Sequence, residues 1–275
     1  MAIKNLLIAY TGSSSSDAAL DAALFMRDKY DAHLTGLQAR DFAPVNPNVG
    51  SWISKDVRDE IEKAQKKAVK DVEARFEQRV SSSAAPDKVH WISNPPDGHG
   101  SVARYARFYD LTILGRYDAI REEDEELHPD MIAMVSGRPV LLVPQEFDMA
   151  TFNEHAVFAW DGKRAASRAL GDTMQILKTK SLVTVITVEG HQSEVSLPGI
   201  DVETALQRHG VKTESLKLKR GGKSVAKRIL DFVEKSQPKL LVMGACEHSK
   251  FRRSIVGGVT SSVLKKAKIP VLVSH

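Results

Sequence analysis

Between residues 244 and 260 the chain places the residue types that a phosphate cradle needs at workable spacing. An apolar strand ends at Gly244, and after a loop Gly257-Gly258-Val259-Thr260 opens a helix. Glycine at a strand end lets backbone approach a ligand closely. N–H groups exposed at a helix start, together with the helix dipole, favour an anion. Lys250, Arg252 and Arg253 add positive charge, and Thr260 adds a hydroxyl in the first turn. The same residues also suit an ordinary turn with basic side chains facing water. Spacing alone leaves both readings open.

Other chemical signals are weaker. Gly221-Gly222-Lys223-Ser224 has the tail of a P-loop, but the first glycine of that motif would fall on Lys217. A helix start explains these glycines better. Ser13 to Ser16 read as N-cap hydroxyls before a helix. The nine histidines lack metal-ligand spacing, and with one cysteine, Cys246, no metal site is expected. No Ser/His/Asp or paired-carboxylate arrangement names a catalytic residue. The charged stretch 54–80 mixes signs at i,i+3 and i,i+4, which marks a solvated helix rather than a nucleic-acid surface.

The elements that must position these residues follow a repeat. Strands running into glycine begin at Leu6 and at Ala156, and strand–helix–strand endings occur at 111–143 and 240–274. Between them, apolar strands alternate with helical spacing. The second half reads as strand 156–160, helix 164–178, strand 182–188, helix 198–209, strand 213–218, helix 222–234, strand 240–243, helix 257–266 and strand 270–274. Such alternation implies an α/β fold with parallel strands covered on both faces. Ligands then bind beyond the carboxyl ends of the strands, where strand order reverses. Gln145 to Glu154, polar and small, reads as a linker, which gives units at 1–145 and 155–275.

A length of 275 residues fits two such units. No apolar run reaches a membrane span, no secretory signal is present, and one cysteine fits a cytoplasmic protein. The net charge of +4 divides unevenly. Residues 1–150 carry 18 Lys+Arg and 24 Asp+Glu, a balance of −6; residues 151–275 carry 21 and 11, a balance of +10.

The ending VMGACEHSKFRRSIVGGVTSSVLKKAKIPVLVS and the start FAWDGKRAASRAL resemble the universal stress protein family. The family pattern is Gly, two residues, Gly, nine residues, Gly, then Ser or Thr. With the repeat, the chain resembles a tandem universal stress protein. The resemblance implies two tandem doubly wound domains, each a five-stranded parallel sheet in the order 3-2-1-4-5. It also implies an intramolecular pseudo-dimer paired through the last strands. Further association of two chains stays open, and neither membrane nor nucleic acid is an expected partner.

Some members of the family bind ATP. Carried over, Asp161 would contact the adenine–ribose end, Val188 would offer backbone to adenine, and Gly244, Gly257, Gly258, Val259 and Thr260 would line the phosphates. Two positions depart from the pattern: Glu247 stands where the second Gly belongs, and Gly258 where Ser or Thr belongs. Arg252, Arg253 or Mg2+ could offset the Glu247 carboxylate. In the first half Thr11 replaces Asp161, Asp118 replaces the second Gly, and His128-Pro129 ends an acidic run from Glu122 to Glu126. Proline has no N–H to give. The expectation is a stress-response regulatory or protective protein with ATP in residues 155–275 only, at most a slow ATPase. The alternative is a nucleotide-free interaction protein in which both motifs are degenerate.

Overall fold

The computed structural model describes residues 2–39, 54–93, 102–116, 127–190, 198–245 and 258–275. Ten strands form one sheet: β1 (Asn5–Tyr10), β2 (His33–Gln38), β3 (Val89–Ile92), β4 (Leu111–Gly115), β5 (Val140–Val143), β6 (His155–Ala159), β7 (Leu182–Val188), β8 (Thr213–Leu218), β9 (Leu240–Gly244) and β10 (Val271–Ser274). The described helices are α1 (Ser14–Tyr30), α2 (Lys55–Val80), α3 (Val102–Ala106), α4 (Pro129–Ser136), α5 (Arg164–Leu177), α6 (Val202–Arg208), α7 (Val225–Ser236) and α8 (Val259–Lys266).

The strand order is β3-β2-β1-β4-β5-β10-β9-β6-β7-β8. Neighbours are parallel except at the centre, where β5 and β10 run antiparallel with Leu141 opposite Leu272. The sheet is therefore continuous and mixed; the sequence reading expected a five-stranded parallel sheet in each half, with the halves paired through their last strands. The reason is the hydrophobicity of both last strands. Val140–Val143 and Val271–Ser274 are buried throughout, so neither can serve as an exposed edge.

Alternation along each strand divides the core into two layers. One layer packs under α1, α2, α5 and α6, and holds Leu6, Ile8, Leu20, Phe76, Phe158, Ile176 and Leu206. The other packs under α3, α4, α7 and α8, and holds Leu7, Leu114, Ile132, Val157, Ile229 and Leu264. Both layers run through residues from both ends of the chain without a break at the centre.

Local chemistry sets the helix ends. Ser13 accepts from Ser16 N at 3.0 Å, so the serine run does cap α1. Gly221 and Gly222 have φ of +56° and +74°, and Ser224 accepts from Lys227 N at 3.2 Å. These glycines turn the chain into α7, which begins at Val225 rather than at 222. Helix α6 spans Val202–Arg208, shorter than the expected 198–209, because Gly199 is left-handed and Asp201 caps the helix by accepting from Thr204 N at 2.7 Å.

The stretch read as a linker packs against the rest of the chain. A short 3-10 turn covers Met149–Thr151, and Phe152 is fully buried. Lys180 donates to the Phe152 carbonyl, and Lys29 donates to Asn153 Oδ1 and, at 2.7 Å, to Thr179 Oγ1. Arg116, just past β4, donates to the Leu264 and Lys265 carbonyls at the end of α8. A guanidinium suits the negative end of a helix.

Candidate functional site

The carboxyl ends of β7, β6 and β9 lie side by side. Ala159 of β6 is opposite Ile186 of β7 on one side and Met243 of β9 on the other. The sheet thereby brings Val188, Asp161 and Gly244 to one rim. Val188 is buried at the last position of β7, opposite Leu218.

Asp161 follows β6 and shapes the turn into α5. Its Oδ1 accepts from Lys163 N at 3.0 Å, and Gly162 next to it has φ of +75°. An aspartate that bonds backbone two residues on is a standard turn former. This fixes one carboxylate oxygen at the turn.

Gly244 is held by packing. A Cβ there would lie 2.7 Å from Ala166 N and 2.8 Å from Ala165 C, at the first turn of α5. Only glycine lets that helix start sit on the strand end. Thr260, in the first turn of α8, is buried and donates from its hydroxyl to the Gly244 carbonyl at 3.2 Å. The start of α8 is thus tied to the end of β9. Gly258 is the N-cap of α8, with φ of −70° and ψ of 160°, and supplies no side-chain acceptor. Val259 is half-buried beside it. Cys246, Glu247, Lys250, Arg252, Arg253 and Gly257 lie outside the described residues.

The first half shows which parts of this rim are structural. Gly115 ends β4 as Gly244 ends β9, and a Cβ there would meet Ser15 O at 2.4 Å. Thr11 stands in the place of Asp161 and donates to Ser13 Oγ at 3.0 Å. His128 is the N-cap of α4 without a side-chain cap, and Pro129 occupies its first turn. Asp118 and the acidic run 122–126 lie outside the described residues.

Charge in the first half is gathered instead between α1 and α2. A cleft of about 580 Å3 is lined by Asp17, Asp21, Leu24, Arg75, Gln78, Arg79 and Ser82. Tyr10 Oη donates to Asp17 Oδ1 at 2.5 Å, and Arg75 Nε donates to Asp17 Oδ2 at 3.2 Å. Burial pushes the Asp17 carboxyl up, but the bonds from Arg75 and Tyr10 outweigh it and hold the carboxyl below its ordinary range. Burial and the bond to Asp17 push the Tyr10 phenol well up. The sequence offered no direct sign of this cluster, since 58 positions separate Asp17 from Arg75.

Comparison with known proteins agrees with this architecture. A universal stress protein of Archaeoglobus fulgidus DSM 4304 superposes with a TM-score of 0.64 over 98% of this chain and 95% of its own, at 17% identity. The chain has the universal-stress-protein fold. A functionally unassigned protein of Pseudomonas aeruginosa PAO1 matches this fold with a TM-score of 0.54, covering 99% of this chain and 92% of its own at 14% identity. The model of the universal stress protein family matches residues 154–275, the part that holds Asp161, Gly244 and Thr260. A curated universal stress protein of Synechocystis is 29% identical over 174 residues, which is 60% of this chain and 57% of that relative's length. Among the described residues no helix is long and apolar enough to cross a membrane. Among those residues, too, no three His, Cys, Asp or Glu side chains gather as a metal site.

Proposed function

We propose that the chain is a regulatory or protective protein of the universal stress type that binds ATP, with Mg2+, at the rim of residues 155–275 and not within residues 1–145. The observation that carries this reading is the start of α8. In the same part of the chain α6 and α7 are capped by Asp201 and Ser224, whereas α8, which begins at Gly258, has no side-chain cap, like α5 at the same rim. The first N–H groups of a helix lack partners within the helix, and a phosphate is a suitable acceptor for those of α8.

In this reading Asp161 orients the sugar end of the nucleotide, Val188 borders the adenine, and Gly244, Gly257, Gly258, Val259 and Thr260 surround the phosphates with Glu247 at their edge. Mg2+ would balance the Glu247 carboxylate against the phosphates. We read the sheet as two halves, each in the order 3-2-1-4-5, joined as a pseudo-dimer inside one chain that acts in the cytoplasm. No residue is assigned a catalytic role, and turnover at most amounts to slow ATP hydrolysis.

Calorimetric titration of the full chain with ATP and Mg2+ tests the reading. One nucleotide per chain is expected, with the heat lost in Asp161→Ala. No heat at millimolar nucleotide removes ATP from it.

One observation favours the second reading, a nucleotide-free interaction protein. Gly115 is as tightly packed as Gly244, in a half that lacks Asp161 and carries Pro129. Glycine at these strand ends is therefore required by helix packing alone. That reading predicts that purified protein carries no nucleotide and that Gly258→Val leaves function intact.

A further inference from the structure

His33 and His90 are 57 positions apart and meet at the outer edge of the sheet. His33 opens β2 and His90 is the second residue of β3. These strands are parallel neighbours, with Leu34 opposite Val89 and Thr35 opposite His90. Leu34 and Val89 turn into the core layer under α1 and α2. Alternation puts both imidazoles on the opposite face, where both are exposed.

His33 Nδ1 and His90 Nε2 are 3.1 Å apart. The ring planes are 13° from parallel and the centroids are 5.4 Å apart. Rings so widely spaced with nitrogens so close meet end to end, not face to face. The facing nitrogens therefore share one proton, which can sit on either ring. Neither ring has another polar partner among the described residues.

Such a pair presents two neutral nitrogen donors at a set spacing. A zinc–imidazole bond is about 2.0–2.1 Å long, so two of them span about 2.9 Å at a right angle and about 3.4 Å at the tetrahedral angle. The observed 3.1 Å lies between these values. Only a tilt of two exposed rings is needed to aim both lone pairs at one ion.

The donor type narrows the choice of ion. Two imidazole nitrogens disfavour Ca2+ and Mg2+, which require oxygen ligands. Asp31, two positions before His33, is already paired with Lys4 and Lys88. Imidazole suits copper, nickel and zinc.

We propose that His33 and His90 form a two-imidazole site for one divalent transition-metal ion, Cu2+, Ni2+ or Zn2+, with water in the remaining positions. His33 Nδ1 and His90 Nε2 bind the ion. The shared proton moves to an outward nitrogen, His33 Nε2 or His90 Nδ1, so the neutral pair takes up the ion without net release of a proton. The ion ties the edge strand β3 to β2.

Titration of the full chain with NiCl2 at pH 7.5, followed by calorimetry and by the histidine ring resonances, tests this. One ion per chain is expected, and affinity should fall at least tenfold in His33→Gln and in His90→Gln. His209→Gln, an exposed histidine elsewhere, should bind as the parent does. Ni2+ should raise Tm in the parent and in His209→Gln but not in the two pair variants. The proposal is overturned if either pair variant binds Ni2+ as tightly as the parent. It is overturned equally if millimolar Ni2+ leaves the His33 and His90 resonances unmoved.

Discussion

The side-chain nitrogen of Lys180 sits 3.4 Å from the centre of the Phe152 ring and donates to the Phe152 carbonyl. A lysine so placed is nearly out of water, with no carboxylate bonded to it among the described residues. Burial, and then the charge of nearby Lys29, bring its pKa down from 10.5 to about 6.

A pH dependence follows. Lys180 is neutral in the folded chain at pH 7 and protonated in the unfolded chain. The unfolded state then binds more protons between pH 6 and 10, so stability rises with pH across that window. Each such group gives a slope of up to about 1.4 kcal/mol per pH unit. Burial also lowers Lys29, to about 8, so below pH 8 its slope fades while that of Lys180 persists. Denaturant unfolding at several pH values should show Lys180→Met removing slope between pH 6 and 8. Lys29→Met should remove it mainly above pH 8.

At the other end of the scale, Asp17 should contribute to acid unfolding. Its carboxyl is held low in the folded state, so its stabilisation is complete above the ordinary carboxylate pKa and is lost as pH falls through the folded value. Hydrogen bonds to a charged group are worth about 1.5–3 kcal/mol. Asp17→Asn should cost about that at pH 7 and less at pH 3, as read by urea midpoints. Tyr10→Phe should lose a smaller part of the same effect.

Glycine substitutions should divide by packing. Gly244→Ala forces a Cβ against the backbone of Ala165 and Ala166. Overpacking of this kind costs about 1–3 kcal/mol. Gly171, inside α5, has open space where its Cβ would go. Gly171→Ala should therefore stabilise by about 0.5–1 kcal/mol. Thermal melts of the two variants should move in opposite directions.

Phe152→Ala should cost about 3–5 kcal/mol, the usual loss for a buried aromatic. Phe152 is fully buried and meets Phe25 edge-on, with ring centres 6.2 Å apart. A midpoint shift near zero in chemical denaturation would mean that residues 145–154 are a tether after all.

Hydrophobic pattern made much of the fold readable. The expected strands 182–188 and 213–218 coincide with β7 and β8: Leu182–Val188 is an apolar, β-branched run, and the largely exposed Thr213–Leu218 is bounded by Gly210 and Gly221. Errors came where one residue overrides a pattern. Ser224 and Asp201 fix helix starts that periodicity alone placed three or four residues early. Phe152 was one aromatic among polar neighbours, and only the tertiary fold shows that it is buried. At the rim, the sequence pointed to Gly244 and Thr260 but not to the bond between them. The pairs Tyr10–Asp17–Arg75 and His33–His90 depend on sheet and helix neighbours distant in sequence, which spacing cannot reveal.

The antiparallel step between β5 and β10 has a geometric outcome. Every strand from β1 to β5 points one way across the sheet, and every strand from β6 to β10 points the other. The carboxyl ends of the first five therefore open on the margin opposite to those of the last five. A small molecule lodged beyond Asp161 and Gly244 has no direct line to the rim beyond Thr11 and Gly115. The two margins are joined by the slab itself, across Leu141 and Leu272, and by α8, whose first turn bonds Gly244 through Thr260 and whose last carbonyls accept from Arg116 just past β4.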